Sequence, residues 1–346
     1  VVGGEPALGY ESMLDSDSIG TQRIVQGVML AAKSVRTQDA RHLFDHSLYR
    51  SPFTGGCATY VEGTYGCPFR CNFCVVPELY EGKFSKRTPD DIVREIQFVV
   101  EENDVAQVTL WDEGTTFQRK FVLDLCDGLI ELRKSRDERL RSFSWTTRST
   151  TALLDDEIVE RMARAGLSGI TLGVESFDES ILSSVEKTIS LQSNRNAINL
   201  LSRFGIVSIG HIILGHLRDT AASIENTISA AVASNLSFAQ FYCAVPYPGT
   251  KLNRLATEQG LIRVTDLTQY ELSNAIMDTM GGISHRRVAA YRDEARRLFW
   301  TDKRWERLNT LVGPSSRISA AKRGVFLSWS GTTGRKADRP CRVAAA

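Results

Sequence analysis

Three cysteines carry the chemistry most open to reading. Cys67, Cys71 and Cys74 stand at spacings of four and three in the stretch Glu62-Gly63-Thr64-Tyr65-Gly66-Cys67-Pro68-Phe69-Arg70-Cys71-Asn72-Phe73-Cys74. Thiolates are soft ligands that suit iron–sulfur clusters or zinc. A structural zinc takes four ligands, and none of the histidines (His42, His46, His211, His216, His285) lies in this loop. Three thiolates on a four-iron cluster leave one iron without a protein ligand, free to bind a substrate or cofactor. Cys57 lies ten residues upstream, at the far end of the strand predicted to precede the loop. Cys126 shares a helical face with Val122 and Leu129 and reads as a core thiol. Cys243 ends a later strand, at what topology makes the active-site face, and Cys341 lies in the C-terminal tail. Seven cysteines so unevenly spread over 346 residues do not make the disulfide framework of a small secreted domain; the tight cluster reads as a metal site.

The elements that must position this loop alternate in type. Strands are predicted at Ala58–Glu62, Val105–Trp111, Phe143–Thr147, Gly169–Gly173, Val207–Leu214 and Phe238–Cys243. Between them fall helical patterns. The first starts at Thr88-Pro89-Asp90-Asp91, an N-cap, a first-turn proline and acids at the positive dipole end. Ile92, Ile96, Val99 and Val100 then recur at helical spacing. Further helices are predicted from Phe121 to Leu132, over Asp155–Ala165, Asp178–Val185, Ser190–Phe204 and Thr220–Ala233. Such alternation implies a parallel sheet with right-handed crossovers. An open doubly wound sheet and a partial barrel both satisfy the count, and both collect their chemistry at the carboxyl ends of the strands.

Beyond about residue 266 the rhythm stops. His285–Leu311 is predicted as one basic helix with an apolar stripe of Val288, Tyr291, Leu298 and Trp305, and Gly331–Ala346 as a disordered tail. Residues 1–55 are poorly periodic, although Val1–Ala7 looks like the end of a strand and its turn. Forty-two Lys and Arg against forty-one Asp and Glu offer no broad basic field for nucleic acid. No apolar run reaches the length of a membrane span and no signal peptide opens the chain, so a cytoplasmic location is expected.

The cysteine loop resembles the signature of the radical S-adenosylmethionine (SAM) superfamily: C-x3-C-x2-C spacing, the aromatic Phe73 before the last cysteine, and a place after the first strand. The resemblance implies an α/β fold, a partial (β/α)6 TIM-like barrel over residues 56–265 with a helical C-terminal extension at 266–330. It implies a 4Fe–4S cluster on Cys67, Cys71 and Cys74 whose open iron chelates SAM. One-electron reduction then yields methionine and a 5′-deoxyadenosyl radical. Asp112 and Glu113, in Trp111-Asp112-Glu113-Gly114, stand where the family binds the SAM amine. Arg148 stands where the SAM carboxylate would be met, and Glu175, in Gly173-Val174-Glu175-Ser176, where the ribose is held. Ile213-Leu214-Gly215 is placed to line the adenine, with His211 and His216 bracketing it. The stretch Ala244-Val245-Pro246-Tyr247-Pro248-Gly249-Thr250, together with the basic C-terminal helix, is similar to the cobalamin-binding subgroup. That subgroup holds methyltransferases and ring-forming enzymes such as the anaerobic Mg-protoporphyrin cyclase and the hopanoid methylases. There a cobalamin domain precedes the barrel; residues 1–55 look like a remnant or linker after such a domain and contain no Asp-x-His-x-x-Gly loop. Cobalamin is thus expected only with an upstream domain.

The expected activity is reductive cleavage of SAM for methylation or rearrangement of a small-molecule carbon skeleton. A small-molecule substrate and a one-electron donor such as flavodoxin or ferredoxin are the implied partners. A methylthiotransferase-like enzyme acting on RNA or protein would carry a small β domain at its C-terminus, where this sequence reads as helical. An electron-transfer protein would not need Asp112, Glu113, Arg148 and Glu175 at successive strand ends.

Overall fold

The computed structural model describes residues 41–312, apart from 42, 44, 52 and 53. The expectations for Val1–Ala7, for most of residues 1–55, for Gly331–Ala346 and for Cys341 lie outside the described residues.

Six strands form one parallel sheet: β1 (Ala58–Val61), β4 (Gln107–Leu110), β5 (Ser144–Thr150), β6 (Leu167–Glu175), β7 (Val207–Leu214) and β8 (Phe238–Cys243). Their order in the sheet, β1-β4-β5-β6-β7-β8, follows the chain without reversal. A doubly wound sheet reverses direction at a switch point; this one does not, so the fold is a partial barrel, and β8 does not close onto β1. A separate antiparallel hairpin, β2 (Thr64–Gly66) and β3 (Phe84–Lys86), flanks the cysteine loop. The sequence pattern gave no sign of it, because three-residue strands leave no periodicity to detect.

The outer face of the sheet is apolar and covered by helices. Val108, Leu110, Trp145, Ile170, Leu172, Val174, Ile212, Leu214 and Phe241 are all buried there. Helix α2 (Pro89–Asn103), which follows the short α1 (Val76–Leu79), starts where the Thr88 side chain accepts from the Asp91 amide. It buries Ile92, Ile96, Val99 and Val100 completely. Next come α3 (Arg119–Leu132), α4 (Glu138–Ser142), α5 (Asp156–Arg164, capped by Asp155), α6 (Glu179–Ser184), α7 (Leu191–Arg203) and α8 (Ala221–Ala233). The last two each open with a reciprocal capping box, Ser190 with Ser193 and Thr220 with Ser223. Cys126 is fully buried on the inner face of α3, as its helical spacing predicts.

Three details differ from expectation. Helix α9 (Lys251–Glu258) follows β8 and was not predicted. The basic C-terminal segment is two helices, α10 (His285–Phe299) and α11 (Asp302–Val312), because Trp300 turns extended at φ −88°, ψ 90°. Val288 and Tyr291 are buried as expected, but Ala295 and Phe299 complete the stripe while Leu298 is exposed. The arginines do structural work: Arg304 donates to the carbonyls of Val232, Ser234 and Leu236, which satisfies the negative end of α8. Among the described residues no helix is long and apolar enough to cross a membrane.

Candidate active site

The cysteine loop is held by backbone bonds at both ends. At its start, the amides of Gly63 and Thr64 donate to Asp112 Oδ1 at 2.7 and 2.9 Å, and the Thr115 hydroxyl donates to Oδ2 at 2.9 Å. Gly66 follows with φ +77°; a Cβ there would lie 2.1 Å from the Lys83 carbonyl oxygen, so only glycine admits the turn into Cys67. In the middle, Asn72 is buried. Its amide donates to Val185 O (3.1 Å), its Nδ2 to Ser184 O (2.8 Å), and its carbonyl accepts from the Leu252 amide (2.8 Å). The Cys74 amide closes a tight turn onto Cys71 O at 3.1 Å. The sequence did not single out Asn72, since an asparagine between two cysteines has no motif of its own.

Cys67, Cys71 and Cys74 are free, partly buried thiols. Burial raises the pKa of each, pushing Cys71 and Cys74 up to about 12. They act electrostatically on one another. The surrounding charges are Lys187, which favours the thiolates of Cys67 and Cys71, and Glu113 and Glu175, which oppose them. Thiols this reluctant to ionise are not free nucleophiles; they deprotonate when a cationic group takes the sulfurs and releases the protons. Three soft donors on one loop fit an iron–sulfur cluster with an open iron. Among the described residues no three His, Cys, Asp or Glu side chains gather tightly enough for a single ion. Cys57 stays at the opposite end of β1, where its backbone pairs antiparallel with that of Arg50. Cys243 is fully buried on the helix side of β8, 3.9 Å from Arg292 Nη1, so it packs against α10 rather than facing the site.

The other predicted residues divide. Phe73 packs with Ile213, Leu217, Ala244 and Leu252, its ring 5.6 Å from that of His216. His216 is buried, its Nε2 has no hydrogen-bond partner, and burial pushes its pKa down to about 3. Asp112 departs from expectation: its two oxygens are taken by Gly63, Thr64 and Thr115, so it staples the loop instead of offering itself to an amine. Burial raises its pKa, opposed by those same donors. Asp112→Ala should therefore lower stability by roughly 3 kcal/mol, since two buried amides lose their acceptor, while Asp112→Asn keeps most of it. Denaturant melts of the two variants check this, and a near-wild-type alanine variant would contradict it. Glu113, whose charge opposes the thiolates of Cys67 and Cys74, is the second acid of that turn.

Glu175 sits at a register shift between β6 and β7 and is held at φ +61°, left-handed backbone that a non-glycine residue adopts only when its surroundings impose it. Its side chain thereby turns inward to a buried ion pair with Lys187. Lys187 also donates to Gly173 O at 2.9 Å. A Cβ on Gly173 would lie 2.2 Å from Lys187 Nζ, so the glycine clears the path for the ammonium. Lys187 escaped the sequence-based reading because a lone lysine between two helices carries no pattern. Arg148 is not paired with Asp155 or Asp156, which are bound by Arg119 and Arg203; its guanidinium lies over Trp111, 3.9 Å from the ring centroid.

Residues 61–231 match the family model described as the radical SAM superfamily. An uncharacterized methyltransferase of Pyrococcus horikoshii is 27% identical over 212 residues, covering 61% of this chain and 45% of that protein. The anaerobic magnesium-protoporphyrin IX monomethyl ester cyclase of Rubrivivax gelatinosus is 30% identical over 233 residues, covering 66% of this chain and 40% of that protein. The chain thus spans less than half the length of either relative. Among solved structures, the radical S-adenosylmethionine methyltransferase TsrM from Kitasatospora setae, with cobalamin and a 4Fe–4S cluster bound, aligns with a TM-score of 0.55 at 17% identity, over 72% of this chain and 44% of that one. The barrel expected from the cysteine loop is the fold observed.

Proposed function

This chain carries a radical SAM domain, matched over residues 61–231, and we propose that it cleaves SAM reductively to methylate or rearrange the carbon skeleton of a small molecule. The observation that carries this is the set of three free thiols on a pinned loop, with Lys187, Glu113 and Glu175 as the charges around them. A 4Fe–4S cluster held by Cys67, Cys71 and Cys74 would supply the electron that splits the sulfonium, and an open iron to chelate SAM. The chain's own residues orient the cofactor. Glu113 accepts from the SAM ammonium, a charge-assisted contact. An ammonium has three donors, and Lys187 uses two on Gly173 and Glu175. Its third is directed to the SAM carboxylate, a role expected of Arg148 from the sequence and reassigned because Lys187 is the cation acting on the thiols. Glu175 keeps one oxygen for the ribose hydroxyls. The partly buried Phe73, packed against Leu217 and Ala244, limits water on the other side of the loop.

The likeness to a methyltransferase and to a cyclase supports both outcomes, and cobalamin comes to this chain as a proposal through TsrM. A flavodoxin or ferredoxin is proposed as electron donor. The helices α10 and α11 after the barrel favour a small-molecule enzyme over an RNA-modifying methylthiotransferase.

Reconstituted protein given SAM and dithionite should release 5′-deoxyadenosine and methionine; a chain that holds its cluster and releases neither would end the proposal. Glu175→Gln keeps the side-chain volume and removes the charge. SAM affinity should fall roughly ten- to a hundred-fold, the loss of one charge-assisted bond of ~1.5–3 kcal/mol, with the cluster spectrum unchanged. Equal SAM affinity in the variant would remove Glu175 from the ribose.

A further inference from the structure

The concave face of the sheet carries a row of side chains that SAM cleavage leaves unused. Tyr60 of β1 meets Trp111, just past β4, edge to face at 5.1 Å. Trp111 supports the Arg148 guanidinium of β5. Arg148 acts electrostatically on His211 of β7 and Tyr242 of β8. The rings of these two meet edge to face at 5.2 Å, and the Tyr242 hydroxyl donates to Gln240 Oε1 at 2.6 Å. Strands β1, β5, β7 and β8 and the end of β4 thus supply two aromatic rings, a cation, an imidazole and a third ring, with β6 lying between the cation and the imidazole.

Within this row Arg148 is the charged group; Lys187 and Arg296, which act on His211 and Tyr242 from outside it, are already paired with Glu175 and Asp293. Arg148 makes no hydrogen bond or ion pair with any described residue, because Asp155 and Asp156 are bound by Arg119 and Arg203. A guanidinium whose central carbon lies 3.9 Å from an indole centroid is held by the ring through its π-face and not through its N–H donors, which keep the fork that matches a planar carboxylate. His211 adds no second charge: burial, and then the charge of Arg148, push its pKa down to about 4, so it is neutral at pH 7. Beside the fork lies apolar surface: Tyr60 is 54% and Trp111 47% exposed. Adjoining exposed aromatics next to a few convergent polar groups are what a ligand site looks like.

We propose that this row is the substrate-recognition surface, and that the substrate is a planar conjugated molecule bearing a carboxylate. Its ring system lies against Trp111 and Tyr60, and its carboxylate meets Arg148, with His211, Gln240 and Tyr242 as the neutral polar border. A single unpaired cation matches a monoanion; a phosphate dianion would call for a second. The assignment rests on the radical SAM reading of the barrel, and it separates Arg148 from SAM.

The test uses the full reconstituted chain and isothermal titration calorimetry, with 2-naphthoate as probe and 2-acetylnaphthalene as its uncharged counterpart. The wild-type chain should bind both. Arg148→Gln should weaken 2-naphthoate roughly tenfold or more, the loss of a charge-assisted pair, and leave 2-acetylnaphthalene and SAM affinities unchanged. Trp111→Ala should weaken both probes. Circular dichroism confirms that each variant is folded. Failure of the wild type to bind 2-naphthoate, or equal 2-naphthoate affinity in Arg148→Gln, overturns the proposal. So does a loss of SAM affinity in Arg148→Gln, which would put the guanidinium on the SAM carboxylate. Deoxyadenosine release is measured separately, so a failure of SAM cleavage is distinguishable from a failure of this surface.

Discussion

Anaerobic reconstitution of the Cys71→Ala chain with iron and sulfide is expected to leave it without a stable cluster, its iron content falling from about four per chain to well under one. The reason lies in how few donors the loop has. Three thiols supply every protein ligand in the proposed site, and burial holds each of them protonated until iron displaces the proton. Losing one sulfur leaves two to bear the whole cost of deprotonation, with Lys187 as the cation favouring the thiolates. The loop itself should survive the change. It is fixed by Asn72 through Val185, Ser184 and Leu252 and by Asp112 through Gly63 and Thr64, none of which involves the Cys71 sulfur. Loss of iron would then come without loss of fold, which far-UV circular dichroism can show. Cys126→Ala, at a fully buried thiol on the inner face of α3, should keep the wild-type iron and acid-labile sulfide. Full iron in Cys71→Ala, or zinc in place of iron in the wild type, would remove the cluster assignment.

The barrel was legible because each of its strands is buried on the helix-covered face, and such strands read as short apolar runs between helical stripes. Val207–Leu214 and Phe238–Cys243 have the same bounds in the sequence and in the structure. The cysteine spacing was legible because it is local, and the family it pointed to is the family that residues 61–231 match. What escaped was set by long-range contacts. Nothing near Asp112 in the chain says that Gly63 and Thr64, some fifty residues earlier, will claim its oxygens. Nothing near Lys187 says that β6 will turn Glu175 back toward it through a left-handed residue. Arg148 shows the same limit: its strand-end position was readable, but its support by Trp111 and its lack of an acidic partner among the described residues depend on how the strands line up. The break at Trp300 was hidden because the helical pattern of His285–Leu311 runs through it, while the ring packs against Phe238 and Phe299 at 4.8 and 5.3 Å.

Lys187→Met should be the most destabilising single change at the site, by about 3–5 kcal/mol in apo protein, because it strands a carboxylate inside the fold. The Glu175 side chain is only 7% exposed and that of Lys187 11%, so water does little to replace the partner. A buried pair is weak evidence of stabilisation when compared with a well-packed apolar pair, yet breaking it from one side is costly. That asymmetry makes the experiment decisive. Lys187→Met/Glu175→Gln, with both charges gone, should recover most of the stability lost in Lys187→Met alone, giving a coupling energy well above the ~0.5 kcal/mol typical of independent sites. SAM affinity should not recover with it. If Lys187 meets the SAM carboxylate and Glu175 the ribose, the stable double variant lacks both contacts and should bind SAM more weakly than Glu175→Gln alone. Urea melts of the apo chains and SAM titrations of the reconstituted chains give the two numbers independently. A double variant restored in both stability and SAM binding would make the pair a structural strut, and would leave Glu113 as the charged contact to SAM. A double variant restored in stability alone would mean that the strand-end carboxylate is kept buried, at φ +61°, for the cofactor it orients.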